Sequence, residues 1–462
     1  MSLTRPELTA ILAADRKHVW HPYTPMDEWR ARHDPLVVTG AEGPYLILHD
    51  GSRLIDGNGS WWVSTLGHNP QRLVAALETQ ARALCHVSLA GITHAPAALL
   101  AEELAAVAPG DLDQVFYSDD GSTAIEAAVK MSVQYHAQSG HRRSRFLALE
   151  GAFHGETIGA TSLGGVEVFR RPFASVVFDV VHVPVPEPGV PDWDSAFGAV
   201  ERILEADGGQ FAALVVEPIL QGAAGMRLYP AAYLAELSAL CRRHGVLLVA
   251  DEVFTGYGRL GTMWASELAG VVPDILCTAK GFTGGVLPMA ATVTNQRVLD
   301  AFSGGRGRAF LYGHSYCGNP LAAAVAREVL AVYREERVVE GVPERERAIR
   351  ECFERLAKDP VTSRIVLGVR AQGCMGAADL RDDPRLAVDG PVPTVETTDD
   401  LGSGYTAGVG WRVYDEARRR GAYLRPLGDV VYITPPLNIP MADLERLLGI
   451  VEESVRAVAA RV

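Results

Sequence analysis

Short apolar runs rich in β-branched residues punctuate the middle of the chain. They fall at 114–118 (QVFYS), 145–150 (RFLALE), 176–183 (VVFDVVHV), 212–218 (AALVVEP), 246–253 (VLLVADEV), 274–279 (DILCTA) and 289–294 (MAATVT). Runs of this length bounded by turn residues predict strands buried in a sheet. Between several of them the period changes to that of a helix. In YPAAYLAELSALCRRHG (229–245), Pro230 sits near the start and Leu234, Leu237, Leu240 and Cys241 form one stripe. Basic residues fill the last turn and Gly245 ends it. Strands alternating with helices imply crossover connections and a mostly parallel sheet. About seven strands therefore make one large α/β domain over 61–325, sandwiched by helices.

After GNPLAAAVAREVLAVYREE (318–336) the pattern becomes long helices with a few late strands. This predicts a smaller α+β domain over 326–462, against which the N-terminal segment 1–60 packs. Within it, residues 379–404 are acidic and rich in proline and glycine, and read as a mobile surface loop.

Composition narrows the function. The formal net charge is −13, which argues against nucleic acid as a partner. No stretch is long and apolar enough to predict a membrane helix, and residues 1–20 lack the apolar core of a signal peptide. The six cysteines, at 85, 241, 277, 317, 352 and 374, form no CxxC pair, so neither a zinc site nor a disulfide framework is signalled. A cytoplasmic, reduced protein fits this usage.

Three features carry chemistry. In VFYSDDGSTAIEAAVKM (115–131), a strand, a tight turn and a helix follow one another, with Gly121 and Ser122 at the turn. Thr123 and Glu126 have capping-box spacing. A helix N-terminus presents free N–H groups and the positive end of its dipole to an anion. Asp251 ends the apolar run VLLVAD, where ligands of open α/β sheets sit. Its neighbour Glu252 must point to the opposite face of an extended chain. Lys280 ends the next run, with no carboxylate beside it in sequence, although lysine is rarely buried unpaired. The GYGRLG at 256–261 matches GxGxxG, but no amphipathic helix starts there, which excludes a dinucleotide fingerprint. An anion cradle, a carboxylate and a lysine on one sheet edge meet the needs of pyridoxal phosphate: a phosphate site, a partner for the pyridine nitrogen and an amine for a Schiff base.

At this point DEVFTGYGRLG (251–261), DILCTAKGFTGG (274–285) and EPILQGAAGM (217–226) resemble the class III aminotransferases of fold type I, over nearly the whole chain. The resemblance implies that Lys280 carries the cofactor and that Asp251 bonds its ring nitrogen. Gly121 and Ser122 match the phosphate-binding turn. Gly313, His314 and Ser315 match a segment that completes the site across a homodimer interface. Phe153 and His154, in GAFHGET (151–157), fall where the family stacks on the cofactor. Two further motifs, HVWHPYTPM (18–26) and GNGSWWVSTLGHNP (57–70), resemble the biotin-biosynthetic branch. That implies a pocket lined by Tyr23 and Trp61, with Arg425 of YLRPLGD clamping the substrate carboxylate. Because neighbours in extended chain face opposite ways, Trp61 is expected in the pocket and Trp62 in the core.

The expected reaction is amino transfer to 8-amino-7-oxononanoate, giving 7,8-diaminononanoate by a ping-pong route, with Lys280 as proton carrier and Asp251 and Tyr23 beside it. The resemblance implies S-adenosylmethionine as amino donor, with lysine as the alternative. Two departures bear on the pocket. Phe153 stands where many relatives of this branch carry tyrosine, and GHS at 313–315 replaces GPT. Both leave open an ω-amino acid:pyruvate enzyme of the same family, and an aminomutase on the same fold is a further alternative.

Overall fold

The computed structural model describes residues 3–32, 35–186, 193–381 and 408–461. Seven strands form one sheet in the spatial order Gln114–Ser118, Ala290–Thr294, Ile275–Thr278, Leu247–Asp251, Phe211–Val216, Arg145–Leu149 and Val180–Val183. The strands match the seven apolar runs, although 176–183 contributes only its last four residues. Ala290–Thr294 runs antiparallel to both neighbours. The five strands from Ile275–Thr278 to Val180–Val183 are parallel to one another.

Every residue of Phe211–Val216 and Leu247–Asp251 is buried. That explains why these runs are continuously apolar instead of alternating. The alternation survives as a division of labour between the two faces. Ala213, Val215, Leu247 and Val249 pack with the helix Gly121–Gln138 through its Ala124, Ile125 and Ala128. Leu214, Val216 and Leu248 face Leu234, Leu237 and Leu240 of the helix Ala231–His244. That second helix has the predicted anatomy, with Pro230 at its N-cap and Gly245 left-handed at its C-cap. Alanines on the first helix let it lie close to the sheet, and the Thr292 hydroxyl donates to the Ala124 carbonyl at 2.9 Å.

The two ends of the chain meet. Arg53–Asp56 pairs in parallel with Ala422–Tyr423, within a sheet that also holds Val38–Glu42 and Tyr45–Leu48. Ile55, fully buried, sits among Val431, Ile433, Leu444, Leu447 and Val451 from the C-terminal region. A second sheet joins Val366–Gln372, Met375–Leu380 and Val430–Ile433. Asp379 and Leu380 therefore belong to a strand and not to the loop expected over 379–404; residues 382–404 lie outside the described residues.

The join between the ends shapes the site. The Thr434 amide donates to the Gly57 carbonyl at 2.7 Å. Gly59 is left-handed, and a Cβ there would lie 2.8 Å from the Thr434 carbonyl oxygen. The chain then stays left-handed through Ser60, Trp61 and Trp62, at φ 46°, 62° and 76°. Truncating the anchor of this arrangement, Ile55→Ala, is expected to cost about 2–5 kcal/mol and to lower the thermal midpoint. An unchanged melting curve would mean that the N-terminal segment adds nothing to the C-terminal core.

Candidate active site

Five neighbouring chain segments deliver side chains to the carboxyl edge of the sheet. Asp251 is the last residue of its strand, and Glu217 follows Phe211–Val216 by one position. Because Val216 pairs with Ala250, these two carboxylates stand side by side at the strand ends. Lys280 follows Ile275–Thr278 by two positions, with a left-handed backbone at φ 48°. The turn after Arg145–Leu149 brings Phe153 and His154, and Gln114–Ser118 leads into Gly121 and Ser122. All these residues border one cavity of about 540 Å³, as do Tyr23, Trp61 and Trp62.

Lys280 makes no ion pair among the described residues. Its Nζ lies 4.4 Å from the centre of the Trp62 ring and 5.7 Å from that of Phe254. Burial pulls its ammonium down to about 8, against the opposing fields of Asp251 and Glu217. Asp251 has the partner that its own stretch of sequence did not reveal. His154 Nδ1 is 2.7 Å from Asp251 Oδ2, and the Val253 amide donates to Asp251 Oδ1 at 3.1 Å. Glu252 points away, as expected, and accepts from the amides of Ala265 and Ser266 at 3.0 and 2.8 Å. Glu217 is buried and accepts from the amides of Phe153 (3.0 Å) and Gly222 (2.9 Å). Burial raises its carboxyl to about 7, with His154 opposing and Asp251 adding to the shift.

The helix Gly121–Gln138 opens beside this group. Its cap differs from the expected one. Asp120, not Thr123, is the N-cap, and the capping box is Asp120 with Thr123. Glu126 instead accepts from the Gly159 amide at 2.8 Å. Gly121 and Ser122 are thus the first two helical residues, whose N–H groups a helix leaves without internal acceptors. Gly155 lies so close that a Cβ there would stand 2.3 Å from Ser122 Oγ. Ser122 Oγ accepts from the Glu156 amide at 3.1 Å.

Aromatic rings wall the rest of the cavity. Tyr23 stands edge-on to Trp61 (5.4 Å) and to Phe169 (5.6 Å), and Phe169 edge-on to Phe153 (5.4 Å). The Tyr23 hydroxyl donates to Glu156, which also borders the cavity. Both tryptophans line it, contrary to the expectation that only Trp61 could. The premise of extended chain fails here, because left-handed turns at 60–62 rotate both rings inward. Trp62 is also core: it stacks near Phe254 and donates to the Tyr432 hydroxyl at 3.2 Å.

Arg425 does not border the cavity directly. Its guanidinium lies over Trp61 (5.1 Å) and Trp411 (5.5 Å), behind the aromatic wall. Gly313, His314 and Ser315 are also off the cavity of their own chain; His314 approaches it through Asp119, at 3.5 Å. Sequence reasoning passed over Glu217, Phe169, Phe254 and Glu156. Glu217 had a signal, since it ends an apolar run just as Asp251 does. Phe169 had none.

In the protein without added ligand, ¹³C-labelled lysine should show one side chain titrating near pH 8, absent from Lys280→Met. Titration of every lysine in the ordinary range would contradict the burial described here.

Comparison with known proteins places this arrangement. The model of the aminotransferase class-III family matches residues 28–455. The adenosylmethionine-8-amino-7-oxononanoate aminotransferase of Nitratidesulfovibrio vulgaris is 41% identical over 460 residues, covering 96% of this chain and 81% of that protein. That of Geobacter sulfurreducens is 38% identical, covering 96% and 97%. The crystal structure of the Methanocaldococcus jannaschii enzyme of the same name superposes with a TM-score of 0.87 at 30% identity, over 97% and 99% of the two chains. An amine transaminase from an uncultivated Pseudomonas species, solved in its PLP-bound form, gives 0.83 at 34% identity, over 96% and 98%. A family match across most of the sequence, and the same fold around a strand-end lysine, lead to one conclusion: the chain belongs to the class III aminotransferases.

Proposed function

We propose that this chain uses pyridoxal phosphate to transfer an amino group to 8-amino-7-oxononanoate, forming 7,8-diaminononanoate in biotin biosynthesis. The observation that carries the reading is Lys280, a buried amine without an ion-pair partner among the described residues, near Asp251 in a cavity walled by rings. The residues fit the cofactor. Gly155 and Ser122 approach so closely that only a glycine fits, which leaves the helix N-terminus open to an anion. His154 Nε2 is buried without a hydrogen-bond partner among the described residues, so the site has polar capacity to spare.

Bound there, pyridoxal phosphate supplies an electron sink for exchanging an amine with a carbonyl. The chain's own residues do the rest. The N–H groups of Gly121 and Ser122 would hold the phosphate. Asp251, kept in place by His154 and the Val253 amide, would hold the proton of the pyridine nitrogen at its carboxylate. Lys280 would hold the cofactor through its Nζ, the same atom through which it would move a proton. Its lowered basicity leaves more neutral amine near neutral pH than an ordinary lysine would have. Phe153, Trp62 and Phe254 confine the ring and exclude water. Tyr23, Trp61 and Phe169 offer apolar walls that suit two unlike substrates in turn. Glu156, held by Tyr23, places a negative charge among those rings, which suits a substrate ammonium. Arg425 takes the carboxylate of the long acid chain by a shift across Trp61.

The amino donor is S-adenosylmethionine, with lysine as the competing donor. The protein works as a cytoplasmic homodimer. Leu311 is 90% and Tyr316 58% exposed, and they flank Gly313, His314 and Ser315, which do not serve their own cavity. In a dimer these three would complete the partner's phosphate site. Residues 61–325 act as the cofactor-binding unit, and 1–60 with 326–462 as the second unit. No helix among the described residues is long and apolar enough to cross a membrane. The second reading, an ω-amino acid:pyruvate transaminase, is favoured by the amine transaminase likeness and by Phe153, which lacks a hydroxyl.

Purified enzyme given 8-amino-7-oxononanoate with S-adenosylmethionine or lysine should form the diamine, detected by mass spectrometry. Turnover of simple amines with pyruvate and no diamine would favour the second reading. Lys280→Ala should abolish turnover and leave no cofactor attached after borohydride reduction. Arg425→Ala should raise KM for the keto acid roughly tenfold or more, as loss of a charged hydrogen bond of about 1.5–3 kcal/mol implies. Equal loss with acceptors lacking the carboxylate would refute that role.

A further inference from the structure

Three consecutive strand ends carry Glu217, Asp251 and Lys280, and the turn after Arg145–Leu149 adds His154 to the row. The reaction proposed above uses Asp251 and Lys280 and leaves Glu217 without a task. A carboxylate this deeply buried is costly unless its geometry is needed. Its two oxygens accept two main-chain amides from different segments. One belongs to Phe153, whose ring borders the cavity and whose neighbour His154 holds Asp251. The other belongs to Gly222, in the turn whose backbone approaches Phe254 and Trp62. Those two rings flank Lys280.

We propose that Glu217 is a positioning residue: it clamps the Phe153–His154 turn to the 217–222 turn, and so fixes both the ring that confines the cofactor and the imidazole that orients Asp251. The inference rests on the reading of this cavity as a cofactor site. A carboxylate serves here because ionised oxygens accept both amides at once, and charge-assisted hydrogen bonds are roughly twice as strong as neutral ones. Glutamine offers one acceptor and turns an N–H group against the other amide. The groups facing Glu217 are His154 from the turn, Asp251 from the adjacent strand and Lys280 from the strand beyond. The Tyr229 hydroxyl donates to the Glu217 carbonyl, and Glu252 faces away. Since burial raises the Glu217 carboxyl to about 7, the anion predominates only above that pH. The clamp is therefore strong on the alkaline side and weakens as the carboxylate protonates. Stability runs the other way. With its carboxyl raised in the folded state, Glu217 favours folding at low pH and loses that contribution as pH rises through about 7.

The test titrates cofactor-free protein with pyridoxal phosphate, following tryptophan fluorescence from pH 6 to 9. Wild type should lose affinity as pH falls through about 7. Glu217→Gln should bind about tenfold more weakly at pH 8 and keep only the fall near 8 that Lys280 protonation imposes, without the further loss through about 7. Leu214→Ala, a core truncation on the same strand, should lower the melting temperature but keep that further loss. In wild type, infrared difference spectra with ¹³C-glutamate should show one carboxyl protonating in step with the loss of affinity. The proposal is overturned if Glu217→Gln follows the wild-type curve, if only its melting temperature changes, or if no carboxyl protonates in that range. Absence of diamine formation alongside the expected binding curves would instead overturn the reaction and leave the clamp standing.

Discussion

An ammonium held away from water with no carboxylate bonded to it is an expensive thing to build, and among the described residues Lys280 is one. Its charge is offset at a distance by Asp251 and Glu217 and at contact range by the faces of Trp62 and Phe254. Rings attract a cation without fixing it in a hydrogen bond, so the amine stays free to react. Much of the architecture follows from meeting this condition. The parallel strands place their carboxyl ends together, the crossover helices bury the strands on both faces, and the left-handed turn at 60–62 brings in Trp62.

The same edge illustrates how a buried charge array is kept in order. Asp251 is bonded to His154, Glu217 to two amides, and Glu252, one residue from Asp251, to two other amides on the opposite face. Each carboxylate has its own acceptor geometry, and none is shared with Lys280. Three acids close together would otherwise compete for the one cation, and the lysine would be locked in an ion pair. The result is a site whose lysine ammonium is shifted mainly by burial, and only secondarily by neighbouring charge.

The N- and C-terminal segments matter for a different reason. Arg425 stacks on Trp61, and Trp61 meets Tyr23, so residues more than 400 positions apart in sequence form one continuous wall. That wall depends on left-handed backbone at 60–62, which is tolerable because the surrounding hydrogen bonds to Tyr423 and Thr434 hold the chain there. The family shares its fold widely, as the superposition on an amine transaminase shows. Fold alone therefore does not fix the substrate, because function lives in sites carried by a shared scaffold.

The sequence alone determined the seven strands, the helix Ala231–His244 with its caps, and the strand-end positions of Asp251 and Lys280. Each is a local property: a run of β-branched residues, a stripe with helical period, or a polar residue ending an apolar run. It also determined the family, since the motifs around Lys280 are contiguous. Tertiary structure alone decided that His154 is the partner of Asp251, that Phe169 and Trp62 join the cavity, and that Ile55 belongs to the C-terminal core. It also moved the helix cap from Thr123 to Asp120 and placed Asp379 and Leu380 in a strand. Apart from the cap, whose bond spans three positions, these outcomes rest on contacts between residues tens to hundreds of positions apart, or on backbone signs of φ that side-chain identity does not dictate. Period and composition report which face of an element is buried; they carry no information about which distant element buries it.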